Sequence, residues 1–341
     1  MAPWMDLPYE MKQVTAEEDK IVRKCLMGYT RPFMKCGENG YLMPGAFKKH
    51  AESIYNMEVR PDDVWVITFP RSGTTWIQEL VWLAENDLDY ITAKEKPLYK
   101  RFPMLEVSGV LPEVSFELIK INFFNLGNFQ GLGDAVREAS WKTIDKAPSP
   151  RFIKTHLPLS MLPPKLLSTA KVVYVARDPR DVLVSFYYLH KMTTKKLLRA
   201  NVTHFWEAFR RDLLPWTPVV AHANEAFVKR HHPNLHFVFY EDMKKDLFNE
   251  VKGVCNFLGK DYSDVQLKKL TEHLTFDSLK KNKNVNNSID KIQFIRKGEA
   301  GGWRAHFDEK MQLQADEFLS ERLRGLQLRY PSFPLHDITR L

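Results

Sequence analysis

Three stretches of β-branched and aromatic residues, each followed by a loop and a helical pattern, constrain the fold of this 341-residue chain more than any other feature. They cover residues 64–69, 171–176 and 235–240. After the first stretch, apolar residues recur at helical spacing at Trp76, Leu80 and Leu83. After the second, Pro179 stands where a helix can begin. Strands that alternate with helices predict an α/β fold whose central parallel sheet is flanked by helices.

Two shorter features complete the predicted core. Residues 151–155 predict a short strand that ends at His156. After the third strand the sequence predicts a charged turn and then a helix over residues 247–258.

The segment from residue 94 to residue 150 contains helix-like stretches and many Gly, Asn and Pro residues. It predicts a helical lid inserted beside the sheet. Because no repeat and no linker divides the chain, we expect one domain over residues 1–341, with residues 1–54 as an N-terminal extension that supplies substrate-side elements.

Composition narrows the classes of function. No stretch is apolar for the roughly 18 residues of a membrane span, and the N-terminus lacks a signal peptide's pattern, so a cytoplasmic location is expected. Cys25, Cys36 and Cys255 form no CxxC pair, which predicts reduced thiols. The net charge of +8 leaves a nucleic acid, a membrane surface or an anionic small molecule as partners. No run of five like charges occurs, so we expect a basic pocket.

The loop over residues 70–76 (PRSGTTW) carries the first chemical motif. Its glycine lets the backbone close around an oxyanion, while N–H groups, hydroxyls and a helix N-terminus supply donors. These features predict a phosphate-binding loop, although a polar turn that caps a helix has the same pattern. It is not a Walker A loop, because the second glycine and the lysine of that motif are absent.

Two further motifs suit anions. Arg177 ends the second strand, where open α/β sheets bind ligands, and Ser185 follows on the next helix. The loop with Arg296, Lys297 and Gly298 offers two cations beside a glycine. The alternatives are a surface ion pair between Arg177 and a neighbouring aspartate, and a flexible surface loop over residues 296–304.

Lys154 and His156 lie at the end of the short strand, and side chains two residues apart share a face. His156 suits a general base and Lys154 an electrostatic clamp, unless the two residues are a chance pair.

Taken together, the four motifs resemble those of the cytosolic sulfotransferases. The resemblance runs from about residue 55 to residue 330 and is strongest to the insect-type enzymes, a group that includes retinol dehydratase. It implies a P-loop-like phosphosulfate-binding loop and the co-substrate 3′-phosphoadenosine 5′-phosphosulfate (PAPS), with no metal.

The resemblance also implies a role for each motif residue. The 5′-phosphate would be held by Arg71, Ser72, Gly73, Thr74 and Thr75, and the 3′-phosphate by Arg177, Ser185, Arg296, Lys297 and Gly298. Adenine would contact Trp76, Phe276 and Tyr240. His156 would act as the base, with Lys154, Arg71 and Ser185 as the other catalytic residues.

The chain departs from the family pattern at informative places. Arg71 stands where most vertebrate members have lysine, and the family's dimer motif is not legible after Arg304, which leaves a homodimer open. The insertion over residues 94–150 is aromatic-rich, and Phe123, Phe124 and Phe129 are candidates for the wall of an acceptor pocket.

We therefore expect sulfonation of a small hydrophobic phenol, steroid-like alcohol or isoprenoid alcohol, with no nucleic-acid or membrane partner. The alternatives are sulfonation followed by elimination, as in retinol dehydratase, a P-loop nucleotide kinase, and a basic nucleic-acid-binding module.

Overall fold

A parallel sheet flanked by helices forms the centre of the fold, as the sequence predicts. The computed structural model describes residues 5–112, 139–194, 198–286, 288–289, 292–293 and 298–333. The described strands are β1 (Met11–Gln13), β2 (Met34–Cys36), β3 (Tyr41–Met43), β4 (Val64–Thr68), β5 (Phe152–Thr155), β6 (Lys171–Ala176), β7 (Leu235–Phe239), β8 (Ser288–Ile289) and β9 (Ile292–Gln293).

The described helices are α1 (Ala16–Cys25), α2 (Ala51–Tyr55), α3 (Thr74–Glu85), α4 (Tyr90–Glu95), α5 (Leu98–Arg101), α6 (Val107–Val110), α7 (Ser140–Asp145), α8 (Leu166–Thr169), α9 (Pro179–Thr194), α10 (Val202–Arg210), α11 (Val219–Phe227), α12 (Tyr240–Lys245), α13 (Leu247–Leu258), α14 (Asp264–His273), α15 (Phe276–Lys281) and α16 (Glu309–Leu323). Short 3₁₀ helices cover Gly45–Lys49, Leu159–Met161 and Gly302–Ala305. Within the described residues no helix is long and apolar enough to cross a membrane.

The central sheet has the strand order β5-β4-β6-β7, and its neighbouring strands are parallel. Ile67 lies between Thr155 on β5 and Tyr174 on β6 in the strand register. From β4 the chain moves to β5 on one side and then crosses back to β6 on the other side of β4. This reversal marks the carboxyl ends of β4 and β6 as a ligand-binding crevice.

Side chains of β4 alternate between two hydrophobic clusters, one on each face of the sheet. Trp65 and Ile67 pack with the cluster that includes Leu42 of β3. Val64 and Val66 pack with the cluster that includes Ile77 of α3. Burial on both faces explains why this strand is an unbroken apolar run. The three cysteines are buried and free of disulfides.

The predicted boundaries hold for β6 and α13, whereas the turn predicted before α13 is wrong. The third strand ends at Phe239, and residues 240–245 form helix α12. Acidic residues occupy its first turn and lysines its last turn, and both complement the helix dipole. The charge pattern of these residues therefore stabilises a short helix.

The N-terminal strands form an antiparallel sheet in the order β1-β2-β3. Leu42 on β3 exchanges two backbone hydrogen bonds with the loop before α11. Its N–H donates to the Thr217 carbonyl over 2.9 Å, and its carbonyl accepts from the Trp216 N–H over 2.8 Å. The N-terminal residues thereby support a loop that lies beside the candidate site.

The described ends of the predicted lid segment attach to the sheet and to each other. Met104 forms a parallel bridge with Lys154 of β5. The Ser140 N–H donates to Ser108 Oγ over 2.7 Å, and the Ser108 N–H donates to Ser140 Oγ over 3.4 Å. Residues 113–138, with Phe123, Phe124 and Phe129, lie outside the described residues.

Candidate active site

The loop between β4 and α3 has the backbone that a phosphate cradle needs. Gly73 has φ +103° and Arg71 has φ +72°, both in the left-handed region. A Cβ on Gly73 would lie 2.8 Å from Cδ2 of Tyr240, so only glycine fits there. Helix α3 begins at Thr74 and directs its first N–H groups toward the loop.

Arg177, at the carboxyl end of β6, ties this loop to the C-terminal loop. Its Nη1 donates to the Arg71 carbonyl over 3.1 Å and its Nη2 to the Glu299 carbonyl over 2.9 Å. The alternative surface pairing is weak, since Asp181 lies 3.9 Å away and the Asp178 carboxylate bonds Arg180 instead.

Two of the donors that face the phosphate side of this loop have no partner among the described protein atoms. Ser72 Oγ and Arg177 Nε are buried and have no hydrogen-bond partner in the described part of the chain. Buried donors are normally paired, so a multiply charged anion suits this position. Ser185 contributes from α9, where its Oγ accepts from Arg71 Nε over 3.0 Å.

The C-terminal loop is fixed by a buried carboxylate. Asp181 accepts from the Gly301 N–H over 2.7 Å and from the Trp303 N–H over 3.0 Å. Gly298, in the same loop, has φ +64°, and a Cβ there would lie 2.1 Å from two ring atoms of Phe276. Arg296 and Lys297 lie outside the described residues.

The three aromatic residues predicted to contact adenine lie in one region. Trp76 and Tyr240 pack edge to face with ring centroids 5.6 Å apart. Lys244 Nζ lies 5.9 Å from the Trp76 ring and 5.8 Å from the Phe276 ring. The structure therefore brings Trp76, Tyr240 and Phe276 together beside the phosphate loop.

His156 lies directly after β5, beside the end of β4. Its Nδ1 is 2.8 Å from the Thr68 carbonyl oxygen, and a carbonyl only accepts. Nδ1 therefore carries the proton, and in the neutral ring Nε2 carries the lone pair. Burial, with the charges of Lys154 and Arg71, lowers the pKa of His156 well below 6.5. This imidazole is neutral near pH 7 and can accept a proton at Nε2.

The charges around His156 favour a transferring anion. Lys154 lies two residues earlier on β5. Burial lowers the pKa of its ammonium group, Arg71 lowers it further, and the Glu106 carboxylate opposes the shift.

Among the described residues, no group of three or more His, Cys, Asp or Glu side chains could hold a metal ion.

Comparison with known proteins identifies this arrangement. Residues 61–327 match the sulfotransferase domain family. The chain is 30% identical to sulfotransferase 1E1 of Bos taurus over 83% of this chain and 92% of that protein. It is 31% identical to luciferin sulfotransferase of Photinus pyralis over 89% of this chain and 83% of that protein. The chain belongs to the sulfotransferase family.

Solved structures agree with this assignment. A crystal structure of retinol dehydratase in a complex with retinol and PAP, the desulfated product of PAPS, superposes with a TM-score of 0.89 at 41% identity. The superposition covers 96% of this chain and 100% of that one. The prediction of a PAPS-dependent sulfotransferase with a parallel α/β fold is confirmed. The kinase and nucleic-acid-binding alternatives are not supported.

The sequence reasoning missed the polar residues that hold His156 in this sulfotransferase. Glu106 Oε1 accepts from the His156 N–H over 2.7 Å, and Oε2 accepts from Thr155 Oγ1 over 2.8 Å. His222 Nε2 donates to the His156 carbonyl over 2.9 Å, and Tyr174 Oη lies 2.7 Å from His222 Nδ1. Isolated buried polar residues form no sequence pattern, so no signal pointed to them.

Proposed function

We propose that this sulfotransferase transfers a sulfuryl group from PAPS to a hydroxyl, or an amine, of a small hydrophobic acceptor. We include phenols, steroid-like alcohols and isoprenoid alcohols in this class. The position of His156 carries the proposal. Its ring is held by the carbonyl of Thr68, the last residue of β4 before the phosphate loop. A neutral base would therefore lie beside the sulfuryl group of a PAPS molecule bound to this loop.

We assign the donor site to the motif residues. The 5′-phosphosulfate would lie against Arg71, Ser72, Gly73, Thr74 and Thr75, the 3′-phosphate against Arg177, Ser185, Arg296, Lys297 and Gly298, and adenine against Trp76, Phe276 and Tyr240. The buried unpaired donors Ser72 Oγ and Arg177 Nε support this assignment among the described residues, because phosphate oxygens accept such bonds.

The proposed transfer step follows from the charges and the tautomer. The acceptor oxygen forms a bond to sulfur, and the bond between sulfur and the phosphate oxygen breaks with its electrons left on the nucleotide. His156 Nε2 takes the acceptor proton. Lys154 and Arg71 stabilise the charge on the moving group and on the leaving oxygen, which makes positioning and electrostatics the source of catalysis.

The acceptor class is supported by the neighbouring structures. Retinol dehydratase has been solved with retinol and also with androsterone, and both structures superpose with a TM-score of 0.89. These ligands are large apolar alcohols, and the likeness of the two proteins supports the same acceptor class for this chain. The likeness to retinol dehydratase favours a second activity, in which a sulfonated allylic alcohol loses sulfate and a neighbouring proton to form a double bond.

Nucleotide binding tests the donor assignment. We expect 3′,5′-bisphosphoadenosine (PAP) to bind equally well in EDTA and in Mg²⁺, because protein cations and N–H groups neutralise its phosphates. Removing the 3′-phosphate should weaken binding about 10- to 100-fold, the value of a charge-assisted hydrogen bond of about 1.5–3 kcal/mol. Isothermal titration calorimetry measures both effects. Metal-dependent binding, or equal affinity for the two nucleotides, would contradict the assignment.

Acceptor preference tests the lid segment. We expect bulky apolar alcohols to exceed small polar ones in kcat/KM. Phe123→Ala and Phe124→Ala should reduce this preference about tenfold, since truncating an apolar pocket wall forfeits about 1–3 kcal/mol. Phe257→Ala, on helix α13, is the control that should leave the ranking unchanged. If neither lid variant changes the ranking, the lid does not select the acceptor.

A further inference from the structure

Trp216, in the loop between α10 and α11, packs against the proposed base. Its ring lies edge to face with the His156 ring, with centroids 5.6 Å apart. The residue is only 8% exposed. Its indole Nε1 is buried and has no hydrogen-bond partner among the residues that the structure describes. An indole N–H can only donate, so it requires an acceptor that the described protein atoms do not supply.

The backbone of Trp216 is held in an uncommon conformation. Its φ is +67°, in the left-handed region that bulky residues rarely adopt. The backbone hydrogen bonds between Leu42 and the Trp216–Thr217 pair hold this conformation from one side. Strained residues that their surroundings hold in place concentrate at ligand-binding positions.

The indole also packs against a second aromatic side chain, which itself contacts a third. Phe186 lies 6.4 Å from Trp216 between ring centroids, and Phe69 lies 6.4 Å from Phe186. A single unsatisfied donor in an aromatic wall is the kind of polar point that orients a ligand in an apolar pocket. A ligand atom that hydrogen-bonds His156 would lie beside the indole, because the two ring centroids are 5.6 Å apart.

We propose that Trp216 determines acceptor specificity by donating its indole N–H to the attacking oxygen. The inference rests on the function proposed above. A hydroxyl has one proton and two lone pairs. The proton goes to His156 Nε2, one lone pair accepts from Trp216, and the other forms the bond to sulfur. A neutral amine has one lone pair, which the new sulfur–nitrogen bond uses, so the Trp216 contact exists only for oxygen acceptors.

A matched pair of acceptors separates this role from packing. We expect Trp216→Phe to lower kcat/KM for 2-naphthol about 3- to 10-fold, the effect of one neutral hydrogen bond, and to leave kcat/KM for 2-naphthylamine nearly unchanged. Trp65→Phe is the control, because Trp65 of β4 is also buried with an unpartnered Nε1 but lies in the sheet. That control should leave the ratio of the two acceptors unchanged.

An equal loss on both acceptors would overturn the inference, as would an unchanged naphthol rate. Trp216→Leu, which also lacks the N–H, should shift the ratio in the same direction. Binding of both acceptors to the complex of enzyme and PAP gives a second measurement that does not need turnover. No bond to sulfur forms in that complex, so the amine keeps its lone pair, and Trp216→Phe should weaken the binding of both acceptors while only kcat/KM separates them. A wild-type enzyme that binds neither PAP nor the acceptors would instead refute the proposed function.

Discussion

Replacing His156 by alanine should lower kcat for a phenolic acceptor by about 10²–10⁴-fold while the affinity for PAP stays nearly unchanged. A neutral hydroxyl is a poor nucleophile, and His156 Nε2 is the proposed proton acceptor. Steady-state kinetics and calorimetry on the same preparation measure the two quantities. His231→Ala, which removes an exposed histidine, is the matched control and should keep full activity.

The pH profile checks the same assignment. Because the pKa of His156 is lowered, its ring stays neutral as the pH falls through 6.5, and it becomes protonated only well below that value. The acid limb of kcat/KM should therefore lie well below pH 6.5 in the wild type and should vanish in His156→Ala. A variant that keeps wild-type turnover would remove His156 from the mechanism.

Replacing Gly298 by alanine should weaken PAP binding by about 10- to 100-fold. The new Cβ would lie 2.1 Å from Cδ2 and Cε2 of Phe276, and the φ of +64° disfavours any residue with a Cβ. The loop, the ring or both must move, which disturbs the proposed adenine and 3′-phosphate contacts together. Losing one such charge-assisted contact costs about 1.5–3 kcal/mol. Calorimetric titration with PAP measures the loss.

Gly325 offers a control with the same backbone problem but without the clash. Its φ is +76°, and nothing lies within 4 Å of a Cβ built there. Gly325→Ala should lower thermal stability slightly and leave PAP affinity unchanged. If both variants bind PAP as the wild type does, Gly298 does not shape the nucleotide site.

The parts of the fold that the sequence predicted are those with a strong periodic signal. Strands β4 and β6 are unbroken apolar runs because both faces of the sheet are buried, and α9 begins at the predicted proline. The phosphate loop was predictable because its glycine and hydroxyl residues lie between a strand and a helix. The fold position of Lys154 and His156 followed from the same strand pattern.

The parts that the sequence did not predict depend on contacts between distant residues. Each N-terminal strand has three residues, too few to show alternation. Glu106 and His222 act on the His156 backbone from 50 and 66 residues away. Trp216 was unremarked because one tryptophan in a Pro-containing loop has no pattern. Such residues are found only once the sheet brings them together.

The antiparallel N-terminal sheet has a consequence for how small a working enzyme can be made. The region that matches the sulfotransferase family begins at residue 61, after all three strands of this N-terminal sheet. A protein trimmed to the recognised region would keep the loop over residues 70–76 and His156, yet it would lose Leu42 and with it the main-chain support of the Trp216 loop. We therefore expect the smallest working unit to extend beyond the matched region, because truncation at residue 61 would remove part of the scaffold beside His156.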